Sequence, residues 1–343
     1  MAARVSHGSR ATIESVATHA GVSRQTVSNA LNAPERLRPE TLQRVLESID
    51  ALGYRPHQAA RSLRTSASRV LGFRLQLDTG TGGVHDRFLH ALCAAARDRR
   101  YDVLTFAVRS DDEEIATYDE LMRRNSVDGF VLVGTHFVDP RTQWLIGHGA
   151  EFVAFGRPWG QRRARHSWID VDGAAGTAAA VEHLAGAGHR RIGFLGWPEG
   201  SGVGDDRLSG WASAVTARRL PMRGLRALGE DGVASGSALA RRLLESANPP
   251  TALVCVSDSM ALGALQYLDD HGIKAGRDVA VVGFDDSPVA ELVRPKLTSI
   301  RQPLEAVAEK VVDVLLEHLS GVRTKPMHAL LEPALVVRAS SVN

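Results

Sequence analysis

The sequence predicts an all-α N-terminal head followed by a two-lobed α/β core built on parallel sheets. Between Thr12 and Leu52, apolar residues recur at helical spacing in three short stretches. From Arg69 onward, apolar runs alternate with longer segments in the order strand, helix, strand, helix, which is typical of parallel sheets covered by helices. A second series of the same kind follows Gly188, and this repetition indicates two similar lobes.

The head begins with two short helices joined by a tight turn. Thr12 and Ser23 are good N-caps, and Gly21 ends the first helix. Such a pair is the helix-turn-helix unit, whose second helix can enter the major groove of DNA. The outward face of that helix presents side chains that can hydrogen-bond base edges, namely Arg24, Gln25, Ser28 and Asn29. The motif alone leaves an ordinary helical hairpin with a polar surface as an equal alternative.

A third helix is predicted from Pro39, at its first position, to Gly53. One apolar stripe along it can close a three-helix core, formed by Leu42, Val45, Leu46, Ile49 and Leu52. Residues 56–68 are rich in Ala and Ser, so we expect a hinge helix that is marginal without a partner. Leu63 is the one large apolar residue of this segment, and it either inserts into DNA or anchors the linker on the core.

Two stretches resemble the head and hinge of the lactose-repressor (LacI/GalR) family of transcription regulators. They are A-T-I-E-S-V-A-T-H-A-G-V-S-R-Q-T-V-S-N-A-L-N and L-G-Y-R-P-H-Q-A-A-R-S-L-R-T, and the resemblance runs over residues 11–65. It implies that positions 24, 25 and 29 contact bases and that Leu63 wedges into the minor groove. The DNA-binding set that we predict is Thr12, Ser23, Arg24, Gln25, Thr26, Ser28, Asn29, Asn32, Tyr54, His57, Ala60 and Leu63. Most family members have Arg where this chain has Asn29, so the family's usual operator sequence does not transfer.

The composition is that of a globular protein with 343 residues, of which 44% are hydrophobic and 23% charged, enough for two or three domains. No apolar run approaches the roughly 20 residues of a membrane span, and we expect no secretion signal before the head. The core of the LacI/GalR family resembles periplasmic solute receptors, which need such a signal, so this expectation favours a cytoplasmic protein. Cys93 and Cys255 are far apart in sequence and are predicted to be reduced core thiols.

The charge is unevenly distributed along the chain. Residues 1–68 contain nine Arg and five acidic residues, a net charge of +4, whereas the remainder has a net charge of −2. A basic head on a nearly neutral core fits a phosphate-contacting module attached to a ligand-binding one, although a charge of +4 is unremarkable by itself.

We expect the domains to be a disordered N-terminus at 1–10, the head at 11–55, the hinge at 56–68, a first lobe at 69–188 and 301–320, and a second lobe at 189–300 and 321–343. The resemblance implies a periplasmic-binding-protein-like core in which three crossovers join the lobes and a small-molecule effector binds in the cleft. From the strand pattern we place the crossovers near Gly188, Ile300 and Gly321. Trp144, Trp168 and Trp211 lie in periodic segments and are expected in the core.

Ligands of open α/β sheets bind beyond the carboxyl ends of the strands. The loops at those ends combine acidic residues, arginines and tryptophans, which suits a polyhydroxylated ligand such as a sugar. The resemblance implies that Arg207 and Asp285 bind the effector and that Asp172 lies in the cleft, while Ser257 replaces the usual Asn. The predicted effector-binding residues are Asp78, Phe137, Arg157, Trp159, Asp172, Trp197, Arg207, Ser257 and Asp285. Asp258 and Asp286 are as well explained as helix caps or structural contacts.

The sequence lacks the motifs of several other functional classes. It contains no complete G-x-G-x-x-G or G-x-x-x-x-G-K-[ST] phosphate-binding motif, no H-E-x-x-H, no His–Cys cluster and no G-x-S-x-G. We therefore expect no catalytic residue, no metal and no cofactor other than the effector.

These observations predict a cytoplasmic, homodimeric transcription regulator, a repressor, that binds a pseudo-palindromic double-stranded operator and no membrane. A sugar effector in the cleft would control its operator affinity by changing the relative angle of the first lobes. The alternatives within the family are a purine co-repressor and a phosphoprotein-dependent activator. A solute receptor would have no use for residues 11–65, and a sugar-metabolising enzyme would show turnover.

Overall fold

The structure, a computed structural model, describes residues 11–54, 67–75, 83–161 and 163–342, without the side chain of Asn32. Its internal contacts divide the chain after Ser68 into two compact units, which we call the head and the core. Several predictions lie outside the described residues: the disorder of 1–10, the hinge helix with His57, Ala60 and Leu63, and the effector contact of Asp78. No helix in the described ranges has both the length and the apolar character that crossing a membrane requires.

The head consists of α1 (Ile13–Ala20), α2 (Arg24–Asn32) and α3 (Pro39–Leu52), with a 3₁₀ turn at Pro34–Arg36. The Thr12 and Ser15 side chains form a capping box, and Gly21 ends α1 in the left-handed region with φ 65°. The three helices enclose a small core of Val16, Ala17, Ala20, Val27, Ala30 and Val45. Leu46 was predicted in this core and is 41% exposed, because α3 packs against its neighbours through the narrower stripe of Leu42, Val45, Ile49 and Leu52.

The first lobe of the core is a six-stranded parallel sheet with the strand order β11-β5-β4-β3-β1-β2. Its strands are β1 (Val70–Leu75), β2 (Asp102–Ala107), β3 (Gly129–Leu132), β4 (Phe152–Phe155), β5 (Ser167–Val171) and β11 (His328–Leu331). Its helices are α4 (Val84–Asp98), α5 (Asp111–Arg123), α6 (Pro140–Gly147) and α12 (Leu304–Leu319). Because α4 and α12 cover one face of the sheet and α5 and α6 the other, both faces are buried.

The second lobe is a six-stranded sheet with the order β12-β10-β9-β8-β6-β7, parallel except for β12. Its strands are β6 (Ile192–Gly196), β7 (Arg226–Leu228), β8 (Ala252–Cys255), β9 (Ala280–Phe284), β10 (Thr298–Arg301) and β12 (Ala334–Val336). Its helices are α7 (Gly173–Gly186), α8 (Val203–Ala217), α9 (Val233–Leu244), α10 (Asp258–Asp270) and α11 (Val289–Leu292). The predicted fold class, a helical head and a two-lobed α/β core, is confirmed.

Two of the three predicted crossover positions are wrong. The helix α7 packs Ala180, Val181 and Leu184 into the second lobe, so the chain leaves the first lobe at Asp172 and not near Gly188. The last crossover lies between β11, which pairs with β5, and β12, which pairs with β10, and not near Gly321. The second crossover follows Arg301, close to the predicted Ile300. The C-terminal segment L-E-P-A-L-V-V-R, whose apolar pattern resembles one strand, is divided between the two sheets.

A buried ionic network holds α5 and α6 to the end of β1 in the first lobe. Arg141 and Glu114 are both 0% exposed, and Arg141 Nη1 donates to Glu114 Oε2 at 2.8 Å. Arg141 Nη2 also donates to Asp139 Oδ2 at 2.6 Å, and Arg74 donates to Glu114 at 2.7 Å. The Tyr118 hydroxyl donates to the remaining oxygen of Glu114. These charges are stabilised because each of them has a partner inside the protein.

The two cysteines lie in different environments. Cys255 is buried in β8, as predicted, and burial raises the pKa of its thiol far above the ordinary value. Cys93 is exposed, which corrects its assignment to the core. Its helix α4 buries Phe88, Leu92 and Ala96 on one face, and position 93 falls on the opposite face.

Candidate functional site

The exposed face of α2 presents the side chains that were predicted to contact DNA. Arg24 and Gln25 are exposed, and Ser28 and Asn29 are half-buried. The amide of Gln25 donates to Asn29 Oδ1 at 3.1 Å, so the two side chains are ordered relative to each other one helical turn apart. This leaves Gln25 Oε1 and the Asn29 amide group for other partners.

Other members of the predicted DNA-binding set have structural contacts within the head. Ser23 Oγ accepts a hydrogen bond from the backbone N–H of Thr26 at 3.1 Å and is also hydrogen-bonded to the Thr26 hydroxyl. Both residues therefore fix the start of α2. Thr12 Oγ1 accepts from the N–H of Ser15 at 3.2 Å. Tyr54 packs partly against the core of the head. These contacts leave the predicted DNA contacts of the four residues untested.

A cavity of about 340 Å³ lies between the two lobes of the core, at the carboxyl ends of the strands. That volume is near the lower end of the roughly 300–1,000 Å³ found for small-molecule sites. Its lining from the first lobe includes Val84, His85, Thr135, Phe155, Arg157, Trp159 and Asp170. The second lobe contributes Trp197, Ser201, Val203, Asp206, Arg207, Phe284 and Asp285, and Gln302 comes from the second crossover.

Arg157 connects the two lobes at the edge of this cavity. Its Nε donates to Asp170 Oδ2 of the first lobe at 2.8 Å, and its Nη2 donates to Asp206 Oδ2 of the second lobe at 2.5 Å. Burial disfavours the charged guanidinium, but the bonds to the two carboxylates outweigh this effect and raise the pKa of Arg157. The positive charge of Arg157 is therefore already matched by two carboxylates.

Trp159 also spans the cleft. Its ring packs directly on Gly202 of the second lobe, where a Cβ atom would lie only 2.7 Å from Trp159 Cγ. On the first lobe, the Arg157 guanidinium carbon lies 4.7 Å from the ring centroid. These contacts compete with the predicted stacking of a sugar on the Trp159 ring. The indole N–H is buried and has no hydrogen-bond partner among the described residues, so it is available to a ligand oxygen.

Arg207 lies in the wall formed by the second lobe and is only 5% exposed. Its Nη1 donates to the carbonyl of Val256 at 2.6 Å, and its guanidinium carbon lies 3.6 Å from the ring centroid of Phe284. Its Nη2 is 3.5 Å from Asp285 Oδ1. Burial lowers the pKa of Arg207, although Asp285 and neighbouring carboxylates oppose this shift. Within the described ranges its Nε–H has no partner, so one donor is free beside the cavity.

Asp285 faces Arg207 and is 5% exposed. Burial raises the pKa of the Asp285 carboxyl to about 7, and the Arg207 guanidinium only partly opposes this effect. The side-chain amide of Gln302 donates to Asp285 Oδ1 at 2.7 Å. The second crossover therefore fixes the orientation of this carboxyl group.

The titration of Asp285 predicts a pH-dependent stability difference between the protein and the variant Asp285→Asn. The unfolded chain loses the proton near pH 4, whereas the folded protein keeps it until about pH 7. The folded state thus binds the proton more tightly, and this stabilisation is complete below about pH 4 and is lost as the pH rises through about 7. Relative to the variant, we expect the free energy of unfolding to fall by roughly 1–4 kcal/mol between pH 4 and 8. Urea unfolding at several pH values measures this difference, and a flat difference would contradict the assignment.

Three residues of the predicted effector set do not line the cavity. Phe137 is 42% exposed in the loop before α6, a helix that the sequence analysis did not predict. Asp172 Oδ1 accepts from the N–H of Ala175 at 2.8 Å and caps α7. Ser257 caps α10 and donates to Asp231 Oδ1 at 2.5 Å. For Asp172 and Ser257, the role as helix cap determines the side-chain direction.

Asp258 and Asp286 form structural contacts, which the sequence analysis gave as the alternative to effector binding for both residues. Asp258 is 1% exposed and accepts from Ser299 Oγ at 2.5 Å and from the N–H of Ser287 at 2.6 Å. Asp286 forms ion pairs with Arg301 at 2.6 Å and Arg338 at 2.7 Å. These bonds tie the loop after β9 to β10 and to the C-terminal segment of the second lobe.

Several cavity residues were missed by the sequence analysis, above all Asp170, Asp206 and Gln302. A signal existed for Asp170, because it is a charged residue in the otherwise apolar strand S-W-I-D-V. Asp206 directly precedes Arg207, which was predicted to bind the effector, and both lie in the first turns of α8. Nothing in the sequence indicated Gln302, since its role depends on where the second crossover passes the cavity.

Outside the cavity, three side chains of the kinds that bind metal ions lie close together, namely Asp111, His136 and Asp139. Asp139 Oδ1 and Oδ2 are both bonded by the Arg141 guanidinium, at 2.9 and 2.6 Å. Asp111 Oδ2 is 2.8 Å from His136 Nε2. Because a buried arginine already satisfies the carboxylates, this group is explained as part of the ionic network around Arg141.

Comparisons with known proteins agree with this architecture. Residues 12–57 match the family described as bacterial regulatory proteins, lacI family, and residues 181–341 match a periplasmic binding protein-like domain. The chain is 33% identical to the HTH-type transcriptional regulator CelR of Thermobifida fusca, over 96% of this chain and 98% of that protein. It is 27% identical to the transcriptional repressor PurR of Mannheimia succiniciproducens, over 96% of this chain and 98% of that protein.

A solved structure, that of the transcriptional regulator CelR in complex with cellobiose, is also similar. It covers 96% of this chain and 100% of its own, with a TM-score of 0.73 and 31% sequence identity. The similarity therefore includes the head and both lobes. The helix-turn-helix head, the two-lobed core and these full-length relatives place the chain in the LacI family of bacterial transcription regulators.

Proposed function

We propose that this regulator is a cytoplasmic homodimeric repressor that binds a pseudo-palindromic operator. A neutral carbohydrate controls its operator affinity, either by causing release or by promoting binding. The cavity between the lobes is the observation that supports this proposal best, because its polar groups come from both lobes. A ligand that bonds both walls at once would favour one relative arrangement of the lobes. The relatives support the two halves of the proposal separately, since one binds cellobiose and another is named a repressor.

The charge balance of the cavity favours an uncharged ligand. Arg157 is bonded to Asp170 and Asp206, and Arg207 faces Asp285. A phosphate or carboxylate would find Arg157 already paired with two carboxylates and would meet the Asp285 carboxyl group beside Arg207. The buried donors without a partner in the described parts of the chain, Trp159 Nε1 and Arg207 Nε, suit the oxygens of hydroxyl groups or of a sugar ring. We therefore favour a mono- or disaccharide over a sugar phosphate or a purine.

We propose no catalytic role, no metal and no cofactor for this chain. Asp170 and Asp285 are the carboxyl groups of the cavity that are most suitable as general acids. Asp170 accepts a hydrogen bond from Arg157, and Asp285 accepts one from Gln302. The full-length relatives described above are regulators, which agrees with this proposal. A product assay on any carbohydrate that binds would contradict it if turnover were found.

A binding screen on the full chain tests the identity of the effector. Thermal unfolding is measured with cellobiose, other mono- and disaccharides, their phosphates, and purines. A ligand at 100 times its Kd adds about 2.7 kcal/mol, which moves the midpoint by a few degrees. We expect a shift with at least one neutral sugar and none with the phosphates. A shift with purines alone, or with sugar phosphates alone, would overturn the proposed ligand class.

Substitutions on α2 test base recognition. Bound sequences are first selected from random duplexes with the full chain, and affinities are then measured on the selected operator and on unrelated DNA. We expect Arg24→Ala and Gln25→Ala each to weaken operator binding by about 1–3 kcal/mol and to change binding to unrelated DNA little. This follows because a base contact contributes only where the matching base is present.

Arg44→Ala on the exposed face of α3 is the matched control, because it removes the same charge from the same head. We expect this variant to change both affinities by the same small factor. Equal losses on operator and unrelated DNA for Arg24→Ala and Gln25→Ala would show that these side chains contact phosphates and not bases.

A further inference from the structure

The turn that carries Asp285 has an unfavourable backbone. Asp285 has φ 107° and Asp286 has φ 48°, and both lie in the region that side-chain-bearing residues rarely adopt. Two such residues in succession cost of order 1–3 kcal/mol each, so surrounding contacts must hold the turn. On the side of the second lobe, the N–H of Asp285 donates to the carbonyl of Ile300 at 2.8 Å. The N–H of Asp286 donates to Ser299 Oγ at 3.0 Å.

The carbonyl groups of the same turn are held from the first lobe. Arg87, in the first turn of α4, donates from Nη1 to the carbonyl of Asp285 at 2.8 Å and to that of Asp286 at 3.1 Å. Within the described residues, Arg87 forms no ion pair with a carboxylate. Its guanidinium is therefore directed at the backbone of the other lobe, and these bonds cross the cleft.

The position of Arg87 links this contact to the cavity. Val84 and His85, which precede it in α4, line the cavity, and Asp285 lines it from the other side. The backbone angles of Asp285 set the direction of its Cα–Cβ bond and restrict its side-chain rotamers, so they determine where the carboxyl group lies. A change of the turn would therefore move the carboxyl away from Arg207 and Gln302.

We propose that Arg87 is a positioning residue for the effector site: it holds the Asp285–Asp286 turn from across the cleft and so orients the Asp285 carboxyl group for the ligand. The part that concerns the ligand rests on the proposed function, whereas the hold on the turn does not. Binding at Asp285 and approach of α4 to the second lobe are then coupled, since each favours the same turn geometry.

Hydrogen–deuterium exchange of the full chain tests the hold on the turn without any ligand. The variants are Arg87→Ala, Arg87→Lys and, as a matched control, Arg97→Ala on the exposed face of the same helix. We expect exchange in a peptide covering 284–292 to rise at least about 10-fold in Arg87→Ala and to stay unchanged in Arg97→Ala. Arg87→Lys should lie between them, because an ammonium group can still donate to one carbonyl. Peptides from α1–α3 should exchange equally in all variants.

Binding of the carbohydrate tests the consequence for the site. Calorimetric titration uses cellobiose, or the neutral sugar that gives the largest shift in the thermal screen. We expect Arg87→Ala to raise its Kd at least about 10-fold and Arg97→Ala to leave it unchanged. Exchange that matches the Arg97→Ala control would overturn the hold on the turn. Raised exchange with an unchanged Kd would overturn the positioning role. Failure of the wild-type chain to bind any sugar would overturn the proposed effector class instead, and exchange would still decide on the turn.

Discussion

The variant Arg141→Met is expected to lower the free energy of unfolding of the core by about 3–5 kcal/mol. The substitution removes the only cation that contacts Asp139 among the described residues, and it leaves Glu114 with Arg74 and the Tyr118 hydroxyl as partners. Glu114 is 0% exposed, so water cannot replace the missing partner. Urea unfolding followed by tryptophan fluorescence measures this loss selectively, because all five Trp residues lie in the core.

The control for this prediction is Arg123→Met on α5. Arg123 forms an ion pair with Asp119 at 3.0 Å, but its side chain is 71% exposed. Water screens this pair, and we expect a loss below about 0.5 kcal/mol. If both variants lost the same small amount, the network around Arg141 would be an ordinary set of surface pairs.

The second large effect is expected at Arg207. Lysine keeps the positive charge but cannot stack on Phe284 and bond the carbonyl of Val256 with the same geometry. A ligand oxygen at the free Nε–H would also lose its donor. We expect Arg207→Lys to raise the Kd of the effector at least about 100-fold, which corresponds to roughly 3 kcal/mol. Operator affinity measured without effector should equal that of the wild type, and an effector concentration that saturates the wild type should no longer change it.

Arg218→Lys, at the C-cap of the same helix α8, is the matched control because Arg218 is exposed and paired with Glu182. It should leave both the Kd of the effector and operator binding unchanged. Calorimetry with the sugar identified by the screen, together with operator gel shifts, measures both quantities. A Kd within a factor of three of wild type for Arg207→Lys would show that Arg207 is structural.

The head could be predicted closely because its signals are local. Thr12, Gly21, Ser23 and Pro39 mark helix ends through their own backbone preferences, and the observed helices begin and end within a residue or two of the prediction. By contrast, α7 was assigned to the wrong lobe. It is rich in Gly and Ala and buries Gly176, Thr177, Ala180 and Leu184 on one face, but an apolar face shows only that a sheet covers the helix and not which of the two sheets does so.

The cavity could be predicted in part for a similar reason. Loops that follow parallel strands converge at one edge of a sheet, which correctly located Arg157, Trp159, Trp197, Arg207 and Asp285 on the cavity wall. Their effector contacts remain predictions. The pairing of Arg157 with Asp206, and the bonds of Arg87 to the turn at Asp285, join residues more than 40 positions apart in sequence. Such contacts depend on how the two lobes face each other, which no local pattern indicates.

The division of β11 and β12 between the two sheets has a consequence for synthesis of the protein on the ribosome. The first lobe lacks α12 until residue 319 has been made and its edge strand β11 until residue 331, and the second lobe lacks β12 until residue 336. At roughly 5–20 residues per second, the sheet edge at β5 stays unpaired for on the order of ten seconds or more after it emerges. An unpaired strand edge is a site of aggregation. The nascent core should therefore depend on chaperones, whereas the head, whose contacts are complete by Tyr54, can fold at once.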